Sequence, residues 1–190
     1  MLARLGRLHE AWTAAEQETA AAERADTAEL RATAEHDQGM IALALSDHSR
    51  AAQLLGAALV HDARMSRPLA RLARAEALAK LGRCTEADDE LTAMALEPIS
   101  PGDFPDTLVP RMSRIQGLIP AAQGDTALAA RRLEEAAAGW RRVHDRSHDG
   151  ERYTSSFADV ARPPVLGLVE PERELERVLS ELSSLEKAPA

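Results

Sequence analysis

Residues that favour strands are scarce in this chain, and aromatic residues form only 3% of it. Sheet-rich folds draw on valine, isoleucine, threonine and aromatic side chains, so the composition argues against a barrel, a sandwich or a doubly wound sheet. Alanine and leucine instead supply about one third of the 190 residues. Both lose little side-chain entropy in a helix. The composition therefore predicts an all-α protein, either one domain or a short array of repeated units.

Other features that the sequence lacks indicate in which compartment the protein resides and which classes of partner it does not bind. Cys84 is the single cysteine, so no internal disulfide can form, which is typical of a reducing compartment and predicts a cytoplasmic protein. The first ten residues lack the apolar segment of a secretory signal, and no apolar run reaches the length of a membrane span. The net charge of −8 makes the chain poorly suited to nucleic acid, because binding phosphates requires lysine and arginine.

The spacing of apolar residues, prolines and small residues predicts eight helices. They cover residues 7–24, 26–45, 48–64, 67–82, 85–97, 107–122, 126–145 and 171–186. The prolines of segment 98–105 exclude a helix there. A further short helix is predicted at 153–160, followed by a proline-containing connector at 161–170. Pro171 suits the first position of the last helix.

A repeat is visible when four short segments are aligned. In each, a small residue is followed five positions later by alanine, and the small residues are spaced by 40, 36 and 42 positions. The small residues are Gly6, Ser46, Gly82 and Gly124, and the alanines are Ala11, Ala51, Ala87 and Ala129. A small residue accepts positive φ where one helix ends, and the alanine lets the next helix approach closely. We expect side-chain oxygens to cap these second helices, from Asp47, Ser49, Thr85 and Asp125.

Further positions keep the same register. Small residues precede three of the turns by seven positions (Gly39, Ala75 and Gly117), and leucines follow them by nine (Leu55, Leu91 and Leu133). Small or medium residues follow by twelve (Ala58, Met94 and Ala136). This pattern resembles the tetratricopeptide (TPR) repeat over roughly residues 1–145, as a half repeat and three whole ones. The spacings exceed the usual length of about 34 residues, and Pro120 predicts a kink or an early end to its helix.

The resemblance implies antiparallel helical hairpins stacked as a TPR-like α-solenoid with a C-terminal capping helix. It also extends to the C-terminal repeat arrays of large actinobacterial ATPase-type transcriptional regulators. We therefore predict TPR-like repeats over residues 1–146. Residues 147–190 are predicted to hold the short helix, the connector and the capping helix.

Both ends of the predicted array carry apolar residues that need a cover. The first helix presents Leu8, Ala11, Trp12 and Ala15 without a hairpin partner, so we expect either a partner chain or further residues of a longer protein to cover it. The last helix carries Leu175, Val178, Leu182 and Leu185 on one side. This stripe predicts a cap on the array, with a homodimer seam or a contact with a following domain as alternatives.

In the TPR family the first helix of each hairpin lines a concave groove. The resemblance places a partner-binding groove at His36, Met40, Leu72, Glu76, Arg111, Arg114 and Leu118. Arg111 and Arg114 are expected to clamp a carboxylate of the partner, and Met40, Leu72 and Leu118 to hold apolar side chains. We expect a protein or peptide in this groove, and a small molecule near Met40, Glu76, Arg111 and Arg114 is the alternative.

The remaining candidates for chemistry are weak. His144 and His148 have helical spacing, but no third ligand accompanies them, so no metal site is expected. Phosphate-binding loops, a base beside Cys84 and converging carboxylates are all lacking in the sequence. We therefore predict no enzyme, no catalytic residues and no cofactor. Arg64, Arg67, Arg71 and Arg74 share a helix face, and the acidic segment that follows is their expected intramolecular match.

Overall fold

A computed structural model describes residues 7–60, 67–96, 105–148 and 171–187. Every regular element in these ranges is an α-helix, which confirms the all-α prediction. The helices are α1 (Leu8–Ala25), α2 (Ala28–Ala44), α3 (His48–Val60), α4 (Arg67–Lys80), α5 (Cys84–Leu96), α6 (Pro105–Ala122), α7 (Thr126–His148) and α8 (Pro171–Glu186). The helix predicted at 153–160 and the connector at 161–170 lie outside the described ranges.

The chain divides into two compact units. Unit 1 (Met1–Glu97) holds α1 to α5, and unit 2 (Pro98–Ala190) holds α6 to α8. In unit 1 each helix packs on the next one along the chain, and α2 also contacts α4. In unit 2, α6 packs on α7 and α7 packs on α8. Helix α8, which lies in the predicted C-terminal segment 147–190, packs on α7 within this unit.

Three hairpins turn through the same backbone conformation. Ser46, Gly82 and Gly124 have φ values of 62°, 72° and 85°, so these three predicted turn residues are left-handed, while the fourth, Gly6, lies outside the described residues. The N–H of the following residue donates to the carbonyl five positions back in every case: Asp47 to Ala42, Arg83 to Leu78 and Asp125 to Pro120, each at 2.9 Å. This is the Schellman arrangement that satisfies the last carbonyls of a helix. The predicted helix ends are therefore confirmed at all three turns.

Two of the three second helices begin with an aspartate cap. The carboxylate of Asp47 accepts the backbone N–H of Arg50 at 3.1 Å, and that of Asp125 accepts the N–H of Leu128 at 3.0 Å. Both bonds satisfy an N–H group that has no partner within its own helix. The predicted caps at these two positions are confirmed.

The start of α5 differs, because Arg83 occupies the cap position. Its guanidinium donates to both carboxylate oxygens of Glu86, at 2.7 and 2.6 Å. These hydrogen bonds lower the pKa of the Glu86 carboxyl and raise that of Arg83. The capping roles predicted for Ser49 and Thr85 are wrong, since both residues lie inside the first turns of α3 and α5.

The aspartate caps give a direct test of these turns. We expect Asp47→Ala and Asp125→Ala each to lower the free energy of unfolding by about 1 kcal/mol, because each removes a cap oxygen. Asp88→Ala is the matched control, since Asp88 is exposed within α5 and caps nothing, and its effect should stay within about 0.5 kcal/mol. Urea denaturation followed by circular dichroism measures all three. Equal effects at the three aspartates would contradict the capping role.

Two hairpins bring a glycine against a leucine at matching positions. A Cβ atom on Gly39 would lie 2.6 Å from Cγ of Leu55, and one on Gly117 would lie 2.9 Å from Cγ of Leu133. The close approach predicted at these positions is confirmed. The other register positions named above are buried as well: Ala51, Ala58, Ala75, Ala87, Leu91, Met94, Ala129 and Ala136.

We expect Gly117→Ala to destabilise unit 2 by about 1 kcal/mol. The added methyl group meets Leu133, which is fully buried, and the carbonyl of Ala129 at 3.2 Å. Overpacking costs about 1–3 kcal/mol, which outweighs the gain of about 0.5–1 kcal/mol from replacing glycine inside a helix. Gly56→Ala is the control, because its Cβ would meet the end of the Arg74 side chain at 3.2 Å and no backbone atom. That variant should be neutral or stabilising in the same denaturation experiment.

Pro120 does not end α6 early. The helix continues to Ala122, and the carbonyl of Pro120 accepts N–H groups of the turn that follows. Pro120 has no N–H to donate to the carbonyl of Gln116, and the helix nevertheless continues for two residues beyond it. Pro110 also lies inside α6, and Gly139 of α7 packs against its ring, so that an added Cβ would lie 2.8 Å from Cβ of Pro110.

The apolar side of α1 is covered within the chain. Ala11 and Ala15 are buried in a cluster with Ile41 of α2, and Trp12 packs against the same cluster. The guanidinium of Arg50 lies over the Trp12 ring, 4.1 Å from its centroid. The expectation that this face of the first helix needs a partner chain or further residues was therefore wrong for Ala11 and Ala15.

The apolar stripe of α8 is also covered, by α7. Val178 is fully buried in a cluster formed with Trp140 and its neighbours on α7, and Leu175, Leu182 and Leu185 pack against that cluster. The capping role predicted for the last helix matches this packing within unit 2. The alternative of a homodimer seam on the partly buried leucines of α8 stays a prediction.

Candidate functional site

The predicted groove residues of unit 1 lie on α2 and α4, and most of them are buried. His36 and Glu76 are each 8% exposed, and Leu72 is 2% exposed. Met40 is half-buried. The helices α2 and α4 contact one another as well as α3, so much of their surface is used in packing. Of these four residues, Met40 therefore offers the most surface to a partner.

His36 makes a hydrogen-bonded pair with its neighbour in sequence. Its Nδ1 lies 3.1 Å from Oδ1 of Asp37, while Nε2 is buried without a hydrogen-bond partner. A carboxylate on Nδ1 favours the proton on that nitrogen and leaves Nε2 as an acceptor. Sequence reasoning placed His36 in the groove and did not identify this pair.

The predicted groove residues of unit 2 lie on α6, where Arg114 is already bound. Its guanidinium donates from Nε to Oε2 of Glu181 at 2.9 Å and from Nη2 to Oε1 at 2.7 Å. Arg114 is 2% exposed, so it cannot clamp a partner's carboxylate in this state. That prediction is corrected. Charge-assisted bidentate pairing of this kind is among the stronger side-chain interactions.

The other two residues on α6 differ in exposure. Leu118 is buried, so it belongs to the core of the unit and not to an open surface. Arg111 is half-buried, and no described residue forms an ion pair with it. Of the two predicted groove arginines, Arg111 is therefore the one that keeps exposed surface.

The arginine face of α4 is matched from within the chain, as predicted. Arg71 donates to Oε2 of Glu90 at 2.8 Å, and Arg74 forms a second ion pair with the other oxygen of the same carboxylate. Glu90 is a buried residue of α5, in the acidic segment expected to match these bases. Arg64 and the side chain of Arg67 lie outside the described part of the chain.

The described residues that were considered as metal ligands or nucleophiles do not cluster into a site. Over the described ranges, no group of three or more histidine, cysteine or acidic side chains is placed to hold a metal ion. His144 lies 3.3 Å from Asp145 and 3.4 Å from Glu172 of α8, and the side chain of His148 is outside the described residues. Cys84 is half-buried at the first position of α5 and forms no disulfide.

The sequence contained signals for both carboxylates that pair with these arginines. Glu90 stands in the acidic segment that follows the arginine face. Glu181 follows Val178 by three positions and precedes Leu182, so it lies on the apolar stripe of α8 rather than on its polar side. A carboxylate inside an apolar stripe indicates a buried cationic partner, because an unpaired charge there is costly.

The described helices include none that is both long enough and apolar enough to cross a membrane. Comparison of the chain with models of protein families, with curated proteins and with solved structures gives no match.

Proposed function

We propose that this chain is a non-enzymatic interaction module of TPR-like helical hairpins that binds a protein or peptide partner. The recurring turns at Ser46, Gly82 and Gly124 support the hairpin architecture, as do the glycine–leucine contacts at Gly39 and Gly117. A role within a bacterial transcriptional regulator is part of the proposal, and it rests on the sequence resemblance alone.

Arg111 is the observation that carries the binding proposal. It lies on α6, three residues before an arginine that already binds a carboxylate in bidentate fashion. Arg111 has the same chemistry, is half-buried and has no ion pair with a described residue. A partner carboxylate at this point would accept a charge-assisted hydrogen bond from Arg111. Because the side chain is already half-buried, it has less conformational freedom to lose when the partner binds.

The proposal is tested by selecting random peptides on the immobilised full chain and measuring their affinities by fluorescence anisotropy. We expect selected peptides to carry an acidic residue, and Arg111→Ala to weaken them at least tenfold. Arg131→Ala is the matched control, because Arg131 is exposed on α7, and it should change affinity less than twofold. Peptides that bind the Arg111 and Arg131 variants equally well would refute the role of Arg111.

A small-molecule sensor is the second candidate function. The buried Nε2 of His36, which has no hydrogen-bond partner, favours it, because a ligand could donate to that nitrogen. Against it, Arg114 was one of the four residues assigned to the small-molecule site, and Glu181 occupies it. A metabolite that raises the melting temperature of the wild-type chain, but not of His36→Phe, would favour the sensor over the peptide module.

A further inference from the structure

His36 of α2 combines burial with an unsatisfied ring nitrogen. The residue is 8% exposed, and its Nε2 atom is buried without a hydrogen bond to any described residue. Buried polar side-chain atoms in proteins almost always have a partner, which is another residue, a water molecule or an ion. Because Nδ1 lies 3.1 Å from Oδ1 of Asp37, the proton is favoured on Nδ1 and the lone pair on Nε2.

The Asp37 carboxylate gives this imidazole the arrangement of a metal ligand. Histidines that bind a metal through one ring nitrogen usually donate the other N–H to a carboxylate, which fixes the tautomer and makes the ligating nitrogen more basic. Both side chains are largely withdrawn from solvent, with 11% of His36 and 15% of Asp37 exposed. His36 therefore holds a lone pair whose tautomer is fixed by Asp37 and which no described residue uses.

Met40 supplies a second donor atom on the same face of α2. It follows His36 by four positions, a spacing that leaves about 5–6 Å between the Cβ atoms of two helical residues. Helical side chains lean toward the N-terminus, so the Met40 side chain is directed over the turn that carries His36. Two ligands at this spacing on one helix can share a metal ion, as in the zinc-binding H-E-x-x-H pattern. Met40 is half-buried, which leaves the ion a route from solvent.

The two donor atoms select a class of ion. A thioether sulfur is a soft ligand that favours Cu(I) over magnesium, calcium or manganese. Zinc sites in proteins use three or four protein ligands, and the described ranges contain no group of three or more histidine, cysteine or acidic side chains placed for a metal. Cu(I) accepts a low coordination number, so one nitrogen and one sulfur suffice for it.

We propose that His36 and Met40 form a binding site for Cu(I), in which Nε2 of His36 and the sulfur of Met40 are the ligands. The site takes a metal ion in place of the hydrogen-bond donor considered for the small-molecule sensor. It lies in unit 1, whereas the peptide proposal depends on Arg111 in unit 2, so the failure of one test leaves the other unaffected.

The site is tested by anaerobic titration of the full chain with Cu(I) in the presence of bicinchoninate, a coloured ligand that competes for the ion. All proteins carry Cys84→Ser, because a thiolate binds Cu(I) by itself. We expect about one equivalent of Cu(I) to be taken from the competitor, and Zn(II) to bind at least about 100-fold more weakly. X-ray absorption at the copper edge should show nitrogen and sulfur neighbours.

Two methionine variants isolate the contribution of the sulfur. Met40→Leu keeps the side-chain volume, so the fold is retained, and Cu(I) affinity should fall at least about tenfold with loss of the copper–sulfur signal. Met112→Leu is the matched control, because Met112 is half-buried on α6 and Leu108 stands four positions before it. That variant should change the affinity less than about twofold. His36→Phe should weaken binding at least as much as Met40→Leu.

Four results would overturn the proposal. Bicinchoninate retains all of the copper, or Met40→Leu binds Cu(I) as tightly as Met112→Leu. Copper bound to the chain has no sulfur neighbour, which would leave a single imidazole as the ligand. Zn(II) binds as tightly as Cu(I), which would show that the site uses harder ligands than a thioether.

Discussion

Trp140→Ala is expected to lower the free energy of unfolding of unit 2 by about 4 kcal/mol, because truncation of a fully buried tryptophan leaves a large cavity. Trp140 is 0% exposed and lies in the cluster that joins α7 to Val178 of α8. The loss therefore reduces packing inside α7 and also the attachment of α8. Chemical denaturation followed by circular dichroism at 222 nm measures it, since the main fluorescent probe of the unit is removed.

Two further variants separate packing from polar effects. The indole Nε1 of Trp140 has no hydrogen-bond partner, so Trp140→Phe breaks no hydrogen bond and should cost only about 1–1.5 kcal/mol from lost volume. Trp12→Ala is the matched tryptophan control, because Trp12 is half-buried on α1, and about 1–2 kcal/mol is expected from its smaller burial. Equal losses for Trp140→Ala and Trp12→Ala would show that the α7–α8 cluster contributes less than its burial indicates.

Glu181→Ala should destabilise unit 2 by about 3 kcal/mol. The substitution removes the carboxylate that faces the buried guanidinium of Arg114, and breaking a buried pair in this way typically costs about 3–5 kcal/mol. We place the value at the lower end because the Glu181 side chain keeps 15% of its surface exposed. The loss should persist in 0.5 M salt, since buried pairs are screened far less than exposed ones.

The double variant Arg114→Met/Glu181→Leu shows whether the loss comes from removing one charge of the pair while the other stays. Replacing both partners by apolar residues of similar size should restore most of the stability, because neither charge of this pair remains. Glu176→Ala, an exposed position on the same helix, should change the free energy of unfolding by less than about 0.5 kcal/mol. A double variant as unstable as Glu181→Ala would indicate that the cost arises from packing rather than from charge.

The regular elements could be predicted because their signals are local. Alanine and leucine content, the small residue at each turn and Pro171 marked helix positions to within a few residues of the structure, although α6 begins at Pro105, within the segment where prolines were expected to exclude a helix. The contacts at Gly39 and Gly117 were predictable for the same reason, since the repeated register pairs each glycine with a leucine sixteen residues later. Local backbone chemistry and close helix packing leave a pattern in one sequence.

Which of the two groove arginines is buried and ion-paired could not be predicted in the same way. Arg111 and Arg114 stand three residues apart on one helix, yet Arg114 is buried and paired while Arg111 is half-buried and open. The difference depends on Glu181, which lies 67 residues away in sequence. No periodic signal links positions so far apart, so the spacing gave both arginines the same expected role. Leu72 and Leu118 were misplaced for a related reason, because a leucine on a helix suits a groove and a core equally well.

The arrangement of contacts along the chain has a consequence for the order of folding. Helices of unit 1 pack on their neighbours in sequence, so their contacts close short loops and can form early and quickly. The pairing of Arg114 with Glu181 requires a much longer loop to close, and α8 can dock only after α7 has presented Trp140. During synthesis, unit 1 can therefore complete its packing while α8 is still within the ribosome, and the α7 surface remains bare until α8 emerges.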